Sequence, residues 1–129
     1  MKPIYAASFL NIARKPLPGR SAVIRIADDT GLLAEPYDRE NVVDTLDCIF
    51  ADDATPTEAD AKRIAAFLRE AENNPRVECI VAQCQAGIGR SVAIAAAYSE
   101  ANGKPWEQMA VYNRTLYRLL LSEFRRKRK

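Results

Sequence analysis

The sequence predicts a single α/β domain, with a central, mainly parallel sheet and helices on both of its faces. Short apolar runs rich in β-branched residues alternate along the chain with longer segments whose apolar residues recur at helical spacing. Such alternation is typical of parallel sheets covered by helices. The length of 129 residues and the hydrophobic fraction of 48% suit one core rather than two. We therefore expect residues 1–129 to form one domain.

Four apolar runs are predicted to be strands, because turn-forming residues bound them and their side chains suit a pleated surface. The third run alternates in its last part, which puts Leu46, Cys48 and Phe50 on one face. The fourth is short and wholly apolar, as expected for a strand buried on both faces. The four runs are residues 4–7, 22–27, 42–50 and 79–82.

A helix with clear start signals follows the third strand. Thr55 is a favourable N-cap residue, Pro56 suits the first helical position, and Glu58 completes a capping box. Apolar residues then recur at helical spacing, and the Asn-Asn-Pro sequence at 73–75 ends the helix.

Two further helices are predicted after the fourth strand. Residues 92–101 are apolar almost all round, which indicates a buried helix. The last helix is expected from about Pro105 to Phe124. Its apolar stripe contains one amide, Asn113, which is predicted either to brace the preceding loop or to be a structural residue with satisfied hydrogen bonds.

Charge is unevenly distributed along the chain. The net charge is +2, but residues 125–129 are all basic and the rest has more acidic than basic residues. The body is not a polycation, so no nucleic-acid partner is expected. The basic tail is predicted to be a solvated helix end, with contact to nucleic acid, an acidic partner or a membrane surface as the alternative. No apolar run is long enough to span a membrane and no signal peptide is evident, which predicts a cytoplasmic protein.

The chain has three cysteines and no histidine. An odd number argues against a disulfide framework, and Cys48, Cys79 and Cys84 lack the spacing of a zinc site. Without histidine there is no Ser-His-Asp triad, Cys-His pair or histidine-bound metal. Cys48 and Cys79 are predicted to be small core residues, with Cys48 as a resolving thiol for oxidised Cys84 as the alternative.

Residues 84–91, Cys-Gln-Ala-Gly-Ile-Gly-Arg-Ser, lie between the fourth strand and the buried helix; we call them the cysteine loop. Gly87 and Gly89 allow a tight turn with N–H groups pointing inward, and the following helix adds its N-terminal amides and positive dipole end. These features predict a phosphate-binding loop. The predicted phosphate-binding residues are Gln85, Ala86, Gly87, Ile88, Gly89 and Arg90.

Three side chains give the cysteine loop its predicted chemistry. Arg90 can hold two phosphate oxygens with its planar guanidinium. The same positive field is expected to lower the pKa of Cys84, so that its thiolate is a nucleophile without help from a histidine. Ser91 is placed to donate a hydrogen bond to the sulfur, which would help the thiolate to leave in a second step.

The cysteine loop resembles the signature loop of the cysteine-based protein tyrosine phosphatases. It is most similar to that of small dual-specificity members from bacteria and phages with a Cys-x-Ala-Gly-x-x-Arg-Ser loop. As a pattern, the likeness extends to the strand ending near Phe50, the capped helix and the last helices. The resemblance implies the three-layer tyrosine-phosphatase fold. It also implies hydrolysis of phosphate monoesters on protein tyrosine, serine or threonine through a phosphocysteine, with no metal or other cofactor.

The resemblance further implies a general acid on the loop after the third strand. Asp52 and Asp53 lie there, and Asp52 keeps the spacing of two from Phe50 that small family members show. We expect Asp52 to protonate the leaving oxygen and Asp53 to favour the next helix N-terminus by its charge, with the reverse assignment left open. The expected catalytic residues are Cys84, Arg90, Asp52 and Ser91.

One residue departs from the family pattern. The family usually has histidine directly before the cysteine, where this chain has Gln83. A glutamine also donates and accepts hydrogen bonds, so activity is expected to survive with a higher thiolate pKa. The expected partner is a phosphorylated protein or a small phosphate ester. The alternatives are a phosphate-recognition module without turnover, and a phosphatase for non-protein substrates such as inositol phosphates or RNA 5′ ends.

Overall fold

The computed structural model describes residues 1–50, 56–85, 89–104, 106 and 113–126. Within them lie four strands, four helices and two short 3-10 turns, at Thr30–Leu32 and Arg39–Asn41. In chain order the strands and helices are β1 (Ile4–Ala7), α1 (Phe9–Arg14), β2 (Ser21–Ala27), β3 (Val42–Ile49), α2 (Glu58–Asn73), β4 (Cys79–Gln83), α3 (Arg90–Ala101) and α4 (Arg114–Arg126).

The four strands form one parallel sheet with the order β1-β4-β2-β3. All five residues of β4 are buried, as predicted for the short apolar run. Gln83, the last residue of β4, pairs with Ala7 on one side and with Arg25 on the other. The strands on both sides therefore end close to β4, and Cys84 follows at the middle of this carboxyl edge.

Helices cover both faces of the sheet, which confirms the predicted α/β fold class. The larger core lies between the sheet and α2, α3 and α4, and includes Ile24, Ile80 and Leu116. A smaller core on the opposite face places Ile12 of α1 against Val23 and Val81. No helix among the described residues is long and apolar enough to cross a membrane.

The helix α3 is apolar almost all round because it has neighbours on several sides. It packs against β1, β4 and α4, and every residue from 90 to 99 is buried. This confirms the buried helix that the composition predicts. It also fixes the position of Arg90, the first residue of the helix, against the carboxyl edge of the sheet.

The start of α2 differs from the prediction. Thr57, not Thr55, is the N-cap, because its side chain accepts a hydrogen bond from the Asp60 N–H at 3.2 Å while Asp60 accepts from the Thr57 N–H at 2.9 Å. Glu58 is thus the first helical residue rather than the acidic partner of a capping box. Thr55 lies outside the described residues.

The helix α1 is not predicted by the sequence. It has six residues, of which only Ile12 is buried, so it shows no apolar periodicity. Its N-cap, Ser8, accepts a hydrogen bond from the Asn11 N–H at 3.2 Å. This cap is the one local signal that could have predicted it.

The beginning of the last helix also needs correction. Asn113 precedes α4 instead of lying in its apolar stripe, and its Oδ1 accepts a hydrogen bond from the Leu116 N–H at 3.0 Å, as an N-cap does. Pro105 and residues 107–112 lie outside the described residues. Within α4 the side chains of Leu116, Leu120 and Phe124 are buried, as the stripe predicts for the last two.

Candidate active site

The cysteine loop begins at the carboxyl end of β4 and is tied there to β1 and α1. The N–H of Cys84 donates to the Ala7 carbonyl at 3.2 Å, and the Gln85 carbonyl accepts from the Phe9 N–H at 3.1 Å. These main-chain bonds fix the first two residues of the loop. Ala86, Gly87 and Ile88, which are predicted to bind phosphate, lie outside the described residues.

Cys84 and Ser91 face each other across the cysteine loop. Their Sγ and Oγ atoms are 3.1 Å apart, and both side chains are buried. The Ser91 hydroxyl can therefore donate a hydrogen bond to a Cys84 thiolate. The contact that the sequence predicts for these two residues is present.

The N-terminus of α3 adds a positive end to the site. Gly89 is the N-cap and makes no side-chain capping bond, and the first turn of α3 carries no acidic residue. The dipole of the helix therefore meets no carboxylate from the helix itself. Partial positive charge at such a helix end favours both a thiolate and a phosphate oxyanion.

Arg90 is held below the surface by two acceptors. Its side chain is 4% exposed, and Nη1 donates to Asp28 Oδ1 at 2.8 Å and to the Phe50 carbonyl at 2.6 Å. The acceptors come from the ends of two strands, since Asp28 directly follows β2 and Phe50 directly follows β3. The position of Arg90 is thus set by the sheet as well as by α3.

Asp28 is a site residue that the sequence does not predict. It lies in residues 28–31, which in the sequence are only a turn after an apolar strand. Its position becomes informative once the strand order is known, because β2 is the direct neighbour of β4. An acidic residue at the carboxyl end of a strand in a parallel sheet was the signal available.

Gln83 occupies a buried position beneath the cysteine loop. Its side chain is 1% exposed and Nε2 donates to the Cys84 carbonyl at 2.9 Å. Among the residues that the structure describes, its Oε1 has no hydrogen-bond partner. Gln83 therefore supports the loop backbone through one half of its amide.

Asn113 contacts the cysteine loop through its backbone. The Asn113 N–H donates to the Gly89 carbonyl at 3.3 Å, and the Ala93 N–H donates to the same oxygen at 3.1 Å. The N-terminus of α4 is thereby joined to the N-terminus of α3. The side-chain amide of Asn113 caps α4, which supports the predicted structural role, while its backbone N–H is the group that contacts the loop.

The other two cysteines lie away from Cys84. Cys48 lies on β3, opposite Ile26 of β2. Because β3 is two strands away from β4, the spacing between strands places Cys48 about 10 Å sideways from Cys84. A disulfide requires Cα atoms within about 7 Å of each other. Cys79 lies at the opposite end of β4, with Sγ 3.2 Å from Ser21 Oγ. The structure supports core roles for both residues and argues against Cys48 as a resolving thiol.

The predicted general acid belongs to the segment that follows β3. Asp52 and Asp53 lie outside the described residues. Phe50 is the last described residue before them, and its carbonyl contacts Arg90. The chain therefore enters this segment beside the cysteine loop.

The chain is similar to a solved structure. No family model matches the chain, and no curated protein sequence matches it either. The crystal structure of Tk-PTP in its active form matches 99% of this chain and 81% of its own chain, with a TM-score of 0.56 and 19% sequence identity. The four-stranded parallel sheet flanked by helices is thus the fold of a protein tyrosine phosphatase.

Proposed function

We propose that this chain is a cysteine-dependent phosphatase that hydrolyses phosphate monoesters through a phosphocysteine. The observation that carries the proposal is the contact between Cys84 and Ser91 at the N-terminus of α3, with Arg90 buried beside them. This contact lies at the carboxyl edge of a sheet with the fold of a protein tyrosine phosphatase. A nucleophile, an anion-binding helix end and a guanidinium are the parts that phosphoryl transfer requires.

In the first proposed step the Cys84 thiolate attacks phosphorus in line with the leaving oxygen. An S–P bond forms, the P–O bond to the leaving group breaks, and Asp52 gives its proton to that oxygen. Arg90 and the loop amides stabilise the negative charge on the other phosphoryl oxygens.

In the second proposed step water hydrolyses the phosphocysteine. Asp52, now a carboxylate, takes a proton from the water as its oxygen attacks phosphorus, and the P–S bond breaks. The sulfur leaves as a thiolate, and the Ser91 hydroxyl donates to it over the 3.1 Å contact. The enzyme returns to its starting state, with Asp53 as the alternative acid.

Gln83 occupies the position at which the resembling family has histidine. Its Nε2 holds the Cys84 carbonyl, which keeps the loop backbone in place. Because glutamine carries no charge, the thiolate is stabilised by the loop amides, the α3 dipole and Arg90. We propose that the pKa of Cys84 is therefore higher than in members with histidine.

The proposed substrates are phosphorylated proteins, at tyrosine and at serine or threonine. The fold shared with Tk-PTP, which is by name a tyrosine phosphatase, supports phosphotyrosine. The dual-specificity type rests on the resemblance of the cysteine loop alone. Phosphatase activity on inositol phosphates or RNA 5′ ends is the alternative for the same site.

The test of the proposed function is turnover of 4-nitrophenyl phosphate at mildly acidic to neutral pH with a metal chelator present. We expect the wild type to release 4-nitrophenol and Cys84→Ser to release none, because a hydroxyl is a far weaker nucleophile than a thiolate at this pH. Cys79→Ser is the matched control, since it makes the same change in a buried cysteine at the other end of β4 and should keep its activity.

Two results would contradict the proposed function. Turnover that persists in Cys84→Ser would place the nucleophile elsewhere. A folded wild type that binds inorganic phosphate without any turnover would instead support the phosphate-recognition module.

A further inference from the structure

The outer face of α4 exposes positive charge and no negative charge. The opposite face of the helix packs into the core through Leu116, Leu120 and Phe124. The exposed charged residues of α4 are all arginines, namely Arg114, Arg118, Arg125 and Arg126. The acidic residue of this helix, Glu123, is buried and lies 3.7 Å from Arg126. Positive charge on α4 therefore clearly outweighs negative charge, and all of it faces solvent.

Three of these arginines form one stripe along the helix. Arg118 and Arg125 follow Arg114 by four and eleven residues. At about 3.6 residues per turn, this spacing puts the three side chains within about 40° of one another around the helix axis. The stripe is about 16 Å long, because each helical residue rises by about 1.5 Å. We call these three residues the arginine stripe.

The arginine stripe begins beside the cysteine loop. Arg114 is the first residue of α4, and the N–H of the preceding residue, Asn113, donates to the Gly89 carbonyl at 3.3 Å. From there the stripe leads away from the proposed catalytic site. A polypeptide with its phosphorylated residue at Cys84 can therefore lay neighbouring residues along α4. An extended chain rises about 3.3 Å per residue, so the stripe matches about five residues of such a polypeptide.

The other long helix with a solvent-exposed face, α2, differs in its charges. Its exposed charged residues have both signs in equal number and are Glu58, Lys62, Arg63 and Glu70. Glu58 and Lys62 are four residues apart, a spacing at which opposite charges on a helix attract each other. The face of α2 thus balances its own charge, whereas that of α4 does not. The planar guanidinium groups on α4 suit carboxylates, which they can bind through two hydrogen bonds.

The uncharged residues of the outer face favour a protein partner over a membrane. The other exposed residues of α4 are Thr115 and Ser122. A helix that lies on a lipid surface buries large apolar side chains there, whereas those of α4 are in the core. A nucleic-acid partner is disfavoured because the chain outside residues 125–129 has more acidic than basic residues. A segment rich in carboxylates is the anion that fits best.

We propose that the arginine stripe binds an acidic segment of the phosphoprotein substrate. The inference rests on the proposed phosphatase function and names a class of substrate for it. That class is phosphoproteins with several Asp or Glu residues within about five positions of the phosphorylated residue. An exposed ion pair contributes little by itself, so several pairs act together. The stripe selects among substrates and takes no part in the chemical step.

The test compares phosphotyrosine peptides that differ only in charge. One has a run of Glu before the phosphotyrosine, a second has the run after it, and a third has Gln in place of every Glu. The stripe variant combines Arg118→Glu with Arg125→Glu. Its matched control combines Lys62→Glu with Arg76→Glu, which makes the same change in net charge at exposed residues of α2 and of the turn before β4.

The measured quantity is the ratio of kcat/KM for an acidic peptide to kcat/KM for the Gln peptide. At low salt we expect the wild type and the control variant to prefer at least one acidic peptide about fivefold, and the stripe variant to show a ratio of about one. The preference of the wild type should disappear at about 1 M NaCl, where the Debye length is only about 3 Å. All three proteins should turn over 4-nitrophenyl phosphate equally, because it has no acidic segment.

The outcomes separate this inference from the function on which it rests. A wild type that turns over 4-nitrophenyl phosphate but treats all peptides alike would overturn the inference alone, and so would a stripe variant that keeps the wild-type ratio. Loss of binding to phosphatidylserine vesicles in the stripe variant, with an unchanged peptide ratio, would instead make the stripe a membrane surface. If the stripe variant does not fold, Arg118→Gln combined with Arg125→Gln decides by the same ratio. A wild type that turns over neither 4-nitrophenyl phosphate nor any peptide would overturn the proposed function and this inference with it.

Discussion

The three thiols of the chain differ in their surroundings. Burial in the core raises the pKa of Cys48 from its ordinary value of 9.0 to about 11, against a smaller opposite effect of Arg63. Cys48 is therefore a neutral thiol at physiological pH and a poor nucleophile. Cys84 instead lies at the N-terminus of α3 with the Ser91 hydroxyl beside it. The two residues are thus suited to different tasks, Cys48 to packing and Cys84 to chemistry.

The raised pKa of Cys48 predicts a loss of stability in alkali. Well below pH 9.0 the thiol is neutral in both states and does not affect the free energy of unfolding. Between that pH and about 11 the unfolded chain releases the proton while the folded chain keeps it, so stability falls as pH rises. The full loss is about 2 to 3 kcal/mol.

Cys48→Ala removes this titration and is the measurement that checks it. Denaturant unfolding at several alkaline pH values should show the wild type losing stability relative to Cys48→Ala across this range. The difference between the two curves is the relevant quantity, because it cancels the titration of other groups such as Tyr98, whose pKa burial raises to about 12. Parallel curves would show that Cys48 is not a buried neutral thiol.

Single residues were predictable where their role depends on neighbours in sequence. The contact of Cys84 with Ser91 follows from the eight residues of a loop that must turn around an anion. Asp28 was not predictable in this way, because its contact with Arg90 joins the ends of two strands that are far apart in the chain. The site residues in 51–55 and 86–88 stay predictions.

At the scale of elements, the site depends on how two helix ends meet. The Gly89 carbonyl accepts hydrogen bonds from Ala93 of α3 and from Asn113, the N-cap of α4. The capping bond of Asn113 orders the first turn of α4 and thereby holds its own N–H against the loop. A change at this cap should therefore reach the active site as well as the helix.

Asn113→Ala tests this coupling, with Thr57→Ala at the N-cap of α2 as the control. Loss of the capping bond should lower the free energy of unfolding by about 1 kcal/mol. Thr57→Ala removes the cap of α2 and should cost a similar amount. Because the bond to Gly89 weakens only in Asn113→Ala, we expect kcat/KM for 4-nitrophenyl phosphate to fall about fivefold in that variant. Equal kcat/KM values for the two variants would mean that the α4 cap is structural only.

Elements were predictable from periodicity, and their ends much less so. All four strands and the buried helix follow from apolar runs whose bounds differ from the structure by at most two residues. The predicted start of α2 was wrong because two residue pairs have the spacing of a capping box. The prediction used Thr55 with Glu58, whereas Thr57 with Asp60 caps the helix. The pair that caps the helix depends on where the chain leaves the sheet, which local sequence does not specify.

The whole molecule explains why the site lies where it does. The connection from β1 to β2 runs through α1 on one face of the sheet, and that from β3 to β4 runs back through α2 on the other. Crossover connections between parallel strands are almost always right-handed. Two such connections therefore place their helices on opposite faces when the chain reverses its direction across the sheet. Parallel sheets bind ligands beyond the carboxyl ends of strands near such a reversal. Cys84 follows β4, the strand that the second connection inserts between β1 and β2.

The strand order itself could not be predicted from the sequence. Alternating strands and helices predict a parallel sheet but are compatible with several orders. The observed order depends on long-range packing, such as that of α3 against β1 and β4. This order brings Asp28, Phe50 and Arg90 together, so the part of the site outside the cysteine loop appears only in the folded molecule.

The most direct test of the central claim is to capture the covalent intermediate. Asp52→Asn should still transfer a phosphoryl group from 4-nitrophenyl phosphate, whose leaving group needs no acid, but should hydrolyse the phosphocysteine slowly. Acid quench followed by peptide mass spectrometry should then find one phosphoryl group on Cys84, and none at position 84 in a double variant that carries Cys84→Ser and Asp52→Asn. Accumulation in Asp53→Asn instead would exchange the roles of the two aspartates. Turnover with no phosphoryl group on Cys84 in any variant would contradict the account.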